Sequence, residues 1–378
     1  MSTNRRIYLD FNATAPLVPA ARDAMVEAMA DVGNPSSVHA EGRRMRDRVE
    51  RARNQVATLV GRPREQIVFT SGGTEANWLG VMALAAAAEK RGLPRVVATT
   101  PIEHPSLRGP IELLRARGWQ VAMLPASAEF GVVEVGNTPR AGLLATALVN
   151  HETGLVLGSD IPKWARETGA LIHIDAVQAV GKHVGHVGDV LPSADSIAIS
   201  GHKIGGPQGV GALVISIDET LPLVEGGHQE RGRRPGTENT LGIIGFGAAA
   251  VATALPVVLD GGALGMSLER NILEQIEGVH TIGKHANRVE NTASIRFAGA
   301  LGESIVMGLD LEGIAVSTGA ACTSGSIQPS AVWMGLGFSA EEAREVVRFS
   351  TGQTTRPPEI VEVMKVLPGI VERARRHR

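Results

Sequence analysis

The chain has 378 residues, a formal net charge of −2, 43% hydrophobic residues and only 3% aromatic ones. Such a length exceeds one ordinary core and implies two domains, or one large domain with a smaller partner. The near-neutral charge gives no electrostatic case for nucleic acid or an anionic membrane, and no apolar run approaches the roughly 18 residues of a membrane span.

Ile7–Asp10 reads as a short strand. Because Met1–Arg6 leads into that strand rather than into a signal peptide, a cytoplasmic location is expected. A turn at Asn12–Pro16 precedes a helix from Ala20 to Ala30, which stops at Gly33-Asn34-Pro35. An Arg-rich amphipathic helix covers 39–60 and closes on Gly61 and Pro63. Ile67-Val68-Phe69 is a strand that breaks at Ser71-Gly72-Gly73-Thr74 into a helix over 75–90. Strands are predicted at 95–100, 119–124, 142–149, 170–175, 194–200 and 210–216, and helices at 105–117 and 160–168. The alternation specifies an α/β fold with a mostly parallel sheet and a ligand at the carboxyl ends of its strands. After a helical stretch at 241–255 the rhythm changes, and Gly261-Gly262 reads as a hinge. A second unit follows, with helices at 267–277, 302–312, 330–336, 339–350 and 357–375 and strands at 292–297 and 314–318.

Chemistry-bearing residues collect at the predicted strand ends. Lys203, in Ser200-Gly201-His202-Lys203, follows a buried strand and precedes the flexible Gly205-Gly206-Pro207-Gln208-Gly209. An amine there is either used covalently, as in an imine with an aldehyde, or reaches out to water. Ser71–Thr74 stands between strand and helix, where glycines and free N–H groups suit an anion, though a plain turn has the same pattern. It is neither Walker A nor Gly-x-Gly-x-x-Gly, which leaves a nucleotide-dependent dehydrogenase unsupported. Asp175 ends a hydrophobic strand and needs a cationic or hydrogen-bonding partner; the ring nitrogen of a pyridinium is one candidate and a helix cap the other. His104 stands just past a strand, where an imidazole stacks on a flat ring or plays a structural part. His183 and His186 are three apart in a Gly-rich loop, a spacing too weak for a metal site, and no metal is expected. The single cysteine, Cys322, excludes an internal disulfide and is either a small core hydrophobe or a reactive thiol. Its surroundings from Ser317 to Ser326 are small and suit a mobile loop carrying a nucleophile. A phosphate cradle, a stacking imidazole, a pyridinium acid and an imine-forming lysine together describe a pyridoxal phosphate site.

Runs matching one family then appear nearly end to end. They include Leu9-Asp10-Phe11-Asn12-Ala13-Thr14, Gly33-Asn34-Pro35-Ser36-Ser37-Val38-His39 and Phe69-Thr70-Ser71-Gly72-Gly73-Thr74-Glu75. Glu103-His104-Pro105, Asp175-Ala176-Val177-Gln178, Ser200-Gly201-His202-Lys203, Arg234-Pro235-Gly236-Thr237-Glu238-Asn239 and Ser317–Ser326 continue the series. The chain resembles the cysteine desulfurases of the NifS/IscS type, in the class V branch of fold-type I pyridoxal phosphate enzymes. The resemblance implies a mostly parallel seven-stranded sheet in a large domain over 16–255, and a smaller α+β domain from 1–15 and 256–378. It implies that Lys203 forms the imine to pyridoxal 5'-phosphate, Asp175 pairs with the pyridine nitrogen, His104 stacks on the ring and serves as acid/base, and Gln178 contacts the phenolic oxygen. Gly73, Thr74, Ser200 and His202 would hold the phosphate, with Thr237 reaching the cofactor of the other subunit in a homodimer. Arg348 and Asn34 would bind substrate, Arg348 by clamping its carboxylate. The implied reaction takes sulfur from L-cysteine, releases L-alanine and leaves a persulfide on Cys322 for an acceptor protein.

Three departures stand out. His151, in Asn150-His151-Glu152-Thr153-Gly154, replaces the asparagine that contacts the phenolic oxygen, and can still donate that bond. Gly205 and Gln208 replace a bulky residue and a lysine, and Gln353 stands where a second arginine is common. The rival readings are a selenocysteine lyase or other class V enzyme, which needs no Cys322, and a low-turnover scaffold for sulfur acceptors. The acceptor stays open between iron–sulfur assembly, thionucleoside synthesis and a dedicated pathway.

Overall fold

Runs such as Ile67-Val68-Phe69 and Leu171-Ile172-His173-Ile174 are buried along their whole length, so the sheet they form needs helices on both faces. A computed structural model describes residues 6–129, 131–132, 135–136, 138–182, 190–218, 224–254, 260–318 and 329–376. Cys322, His183 and His186 lie outside the described residues.

The chain runs β1 (Ile7–Tyr8), α1 (Pro19–Ala28), α2 (Ala40–Val60), β2 (Ile67–Thr70), α3 (Gly73–Lys90), β3 (Val96–Thr99), α4 (Pro105–Ala116) and β4 (Gln120–Met123). A small hairpin without a clear sequence signal, β5 (Ala126–Ser127) and β6 (Gly131–Val132), comes next. β7 (Leu143–Ala147), α5 (Asp160–Glu167), β8 (Leu171–Asp175), β9 (Ser196–Ser200), β10 (Gly211–Ile215) and α6 (Thr240–Thr253) complete the first unit. The main sheet has seven strands in the order β2-β10-β9-β8-β7-β3-β4, with β10 antiparallel to both neighbours and the other pairs parallel. β2 therefore points the same way as β3, β7, β8 and β9, and their carboxyl ends share one edge. One apolar core lies under α1, α2, α5 and α6, and a second under α3 and α4 on the opposite face.

The second unit contains α7 (Asp260–Gln275), β11 (Val279–Thr281), β12 (Thr292–Phe297), α8 (Gly302–Leu311), β13 (Ile314–Ala315), α9 (Ala331–Gly335), β14 (Val346–Ser350) and α10 (Pro357–Arg376). Its sheet, β11-β12-β14, is antiparallel, and its core is separate from the other two. β1 pairs with β13, so the chain's first strand belongs to this unit.

Two expectations need correction. Residues 339–350 are not a helix. Ser339 and Glu342 exchange side-chain and backbone hydrogen bonds in a capping box, but only one turn follows at Glu342–Arg344. Val346 and Val347 are β-branched and Phe349 is aromatic, and they continue as β14 against β12. Gly261-Gly262 lies in the first turn of α7 rather than in a hinge; a Cβ on Gly261 would stand 2.9 Å from Gly352, so the glycine serves close packing.

Candidate active site

The carboxyl edge of the main sheet places the predicted residues at one level. Thr70 of β2 and Ser200 of β9 both register with Gly211 of β10, Asp175 of β8 registers with Ala198, and Ala147 of β7 registers with Asp175. Gly73, Thr74, His104, His151, Asp175, Gln178, Ser200, His202, Lys203 and Arg348 all line one cavity of about 330 Å³ above this edge. Asn34 and Thr237 do not line it: both are exposed, and Asn34 Oδ1 accepts the Ser36 N–H at 2.9 Å.

Gly72 caps α3 with no side-chain hydrogen bond, which leaves the helix N-terminus at Gly73-Thr74 facing the cavity with its N–H groups and positive dipole end. A Cβ on Gly73 would come within 2.6 Å of Val177, so only glycine lets the helix start this close to the residues after β8. Asp175 is buried; the Val177 N–H donates to Oδ1 at 2.9 Å and Asn77 Nδ2 to Oδ2 at 2.7 Å. Burial raises its carboxyl above the usual range against the pull of those donors.

Asn77, which carries no motif in the sequence, joins two halves of the site. Its Nδ2 also donates to Ser106 Oγ at 2.8 Å, and the Ser106 hydroxyl in turn meets His104. His104 Nδ1 faces that hydroxyl at 2.8 Å and accepts the Ser106 N–H at 3.1 Å, which places the ring proton on Nε2. Burial, then the charges of His151 and Lys203, push His104 down to about 3, so the ring is neutral at pH 7. The loop before it is anchored by Glu103, which the sequence marks only as part of the run Glu103-His104-Pro105 and without a role. Its buried carboxylate accepts from Thr100, Thr146 and the Ala147 N–H, and burial lifts it to about 7.

Lys203 sits at the end of the single turn Gly201–Lys203 after β9. Its Nζ donates to the carbonyls of Asn12 at 2.6 Å and Ala13 at 2.8 Å. Burial, aided by the Arg348 charge, lowers the amine to about 8. Asn12 is a hub between the units: its carbonyl also accepts from Gln178 at 2.8 Å, Lys182 donates to its Oδ1 at 2.6 Å, and its Nδ2 donates to Thr292 of β12 at 3.0 Å. Lys182 also donates to Gln178 Oε1, and burial holds its amine well below the usual lysine range. Arg348 projects from β14; its Nη2 donates to Asp10 at 2.7 Å and its Nη1 to the His151 carbonyl at 2.8 Å. Its buried Nε has no partner among the described residues. Of the departures, Gly205 and Gln353 line a neighbouring cavity of about 120 Å³ that also touches Lys203, and Gln208 is exposed.

A large mostly parallel sheet bearing a lysine, a buried carboxylate and an imidazole at its carboxyl edge, completed by an arginine from a smaller unit, defines a fold-type I pyridoxal phosphate enzyme. The chain belongs to the class-V aminotransferase family, whose model matches residues 7–363. It is 38% identical to a cysteine desulfurase of Nostoc sp. across 98% of this chain and 94% of that one. A NifS-like protein from Rickettsia africae superposes with a TM-score of 0.83 at 29% identity, covering 97% of this chain and 100% of the other. The structure titled SspA in complex with cysteine gives 0.77 at 28% identity, covering 93% and 100%.

Proposed function

We propose that the protein is a cysteine desulfurase that takes sulfur from L-cysteine, releases L-alanine and carries the sulfur on Cys322 as a persulfide. The observation that carries this reading is Arg348, a guanidinium on the wall of the cavity that also holds Lys203 and Asp175. Among the described residues each terminal nitrogen of Arg348 makes a single hydrogen bond, which leaves guanidinium N–H groups for a small carboxylate. The Nostoc relative's name and the SspA–cysteine title point to the same amino acid.

The residues present fit pyridoxal phosphate. Among the described residues each oxygen of Asp175 has a single donor, leaving acceptor capacity for a protonated ring nitrogen, and the start of α3 suits a phosphate. Asp175 would meet the ring nitrogen, His104 its face, Gln178 its phenolic oxygen, and Lys203 its aldehyde carbon, with Gly73, Thr74, Ser200 and His202 around the phosphate. When bound, the group supplies an electron sink for the bond changes at the substrate's Cα and Cβ. Lys203 Nζ, already lowered to about 8, takes the Cα proton as general base. Arg348 fixes the carboxylate, and Cys322 Sγ, as thiolate, accepts the sulfur. The chain works as a cytoplasmic homodimer, with the exposed Thr237 offered to the other subunit's phosphate, and passes its sulfur to an acceptor protein. Its large domain covers 16–255 and its small domain 1–15 with 256–378.

A single-turnover incubation with L-cysteine, read by intact mass and alanine assay, tests the reading. The expected result is a gain of one sulfur atom that vanishes in Cys322→Ala, with matching alanine. Alanine or pyruvate formed at full rate by Cys322→Ala would replace the desulfurase with a lyase.

A further inference from the structure

The cavity holds two imidazoles, and their surroundings suit them to different work. His104 and His151 meet edge to face with ring centroids 4.8 Å apart. The Nδ1 of His104 is committed to Ser106 and its Nε2 carries the proton, so the neutral ring offers the cavity a donor and no acceptor. A site that must remove a proton from a substrate thiol therefore needs a second base.

His151 has the setting of one. Its backbone is fixed from two sides: its carbonyl accepts from Arg348 at 2.8 Å and from Asn12 Nδ2 at 3.4 Å. The turn that carries it is locked by buried Asn150, whose Oδ1 accepts from the Glu152 N–H, the Thr153 N–H and the Thr153 hydroxyl, while its Nδ2 donates to the Ile102 carbonyl. Behind the ring stands Glu152, whose Oε1 lies 3.5 Å from His151 Nε2. The Glu152 carboxylate is buried and its other oxygen accepts the Ser330 hydroxyl at 2.6 Å, which aims Oε1 at the ring. A positioned imidazole backed by a buried, oriented carboxylate is a proton-transfer pair.

Resting on the desulfurase reading, we propose that His151, backed by Glu152, is a second catalytic imidazole, which carries the substrate's thiol proton from sulfur to the carbon that loses sulfur. The electron pair of the S–H bond stays on sulfur and the proton moves to the His151 ring, whose charge Glu152 balances. The Cys322 thiolate then forms the S–S bond as the C–S bond breaks, and the electron pair left on Cβ takes the proton back from His151. Substrate RCH2–SH and thiolate become RCH3 and the persulfide anion, so atoms and charge balance with no outside oxidant.

The test uses the cofactor-loaded protein and two reactions. Exchange of the Cα proton of L-alanine with deuterated solvent needs Lys203, Arg348 and the cofactor, but no thiol chemistry. His151→Asn and His151→Gln are expected to lower single-turnover persulfide formation from L-cysteine about 100-fold or more. The same variants should lower L-alanine exchange and cofactor affinity far less, by under about tenfold, and Glu152→Gln should follow the pattern more weakly. Unchanged persulfide formation in both His151 variants overturns the proposal. So does an equal loss of both reactions, which would make His151 a structural group. Wild-type protein that exchanges alanine yet never marks Cys322 would instead overturn the desulfurase reading beneath it.

Discussion

Two arginines of this chain are buried to the same degree, each 5% exposed, and differ in how their donors are used. Arg53 of α2 uses every one of its nitrogens: Nε on Glu50 at 3.0 Å, both terminal nitrogens on Glu230 at 2.7 Å, and Nη1 also on the Ile67 carbonyl. Glu230 in turn accepts the Phe69 N–H at 2.8 Å. This closed pair holds down a turn in which Glu230 and Arg231 take left-handed φ values of 49° and 60°, a conformation that costs about 1–2 kcal/mol per non-glycine residue. Arg348 of β14 lines the cavity, spends one terminal nitrogen on Asp10 and the other on a carbonyl, and its buried Nε has no partner among the described residues. Equal burial with unequal satisfaction separates a residue that holds the fold together from one held ready for a ligand.

The largest effect should come from breaking the closed pair. Arg53→Met leaves the Glu230 carboxylate buried and unpaired, and should lower the unfolding free energy by about 3–5 kcal/mol in denaturant titrations. The KM for L-cysteine of the protein that remains folded should hardly change. Arg348→Lys should do the reverse. It keeps a charge near Asp10 but loses the planar fork, so kcat/KM for L-cysteine should fall about 100-fold, equivalent to about 2.7 kcal/mol, mainly through KM. Its unfolding free energy should move by less than about 1 kcal/mol. Similar stability losses in the two variants would break the distinction.

The same contrast explains which residues are legible in the amino-acid sequence by itself. Lys203, Asp175 and His104 are legible because short apolar runs end in them, and a strand-end charge is a local pattern. The parallel sheet is legible for the same reason. Asn77, Ser106, Glu103 and Lys182 are not, since their meaning lies in partners far away in sequence: Asn77 bonds Asp175 across 98 positions, and Lys182 bonds Asn12 across 170. Residues 339–350 mislead because Ser339 and Glu342 are a genuine helix start, while β12, which captures Val346–Ser350 as a strand, comes from some fifty residues earlier. Local propensity begins a helix there and a non-local sheet ends it.

A smaller effect carries the comparison over to histidine. His173 of β8 is fully buried, with Nε2 at 3.0 Å from Asn77 Oδ1 and Nδ1 at 2.7 Å from Ser196 Oγ. A Cβ on Gly80 would stand 2.5 Å from the ring, so α3 packs directly onto it. Burial lowers His173 to about 3, and His104, which faces the cavity, is also lowered to about 3. In both cases the folded state binds fewer protons than the unfolded chain between pH 6.5 and 3. Their stabilisation is therefore complete above about pH 6.5 and is lost as the solution is acidified, at up to about 1.4 kcal/mol per pH unit for a group sealed from water. His173→Asn should flatten the acid limb of stability against pH by close to that slope, after correction for its loss of packing at neutral pH. His104→Asn should flatten it less, because water in the cavity can solvate the imidazolium. Equal flattening by the two variants would mean that the cavity excludes water as completely as the core beneath it, and that only a ligand able to displace buried polar contacts could enter.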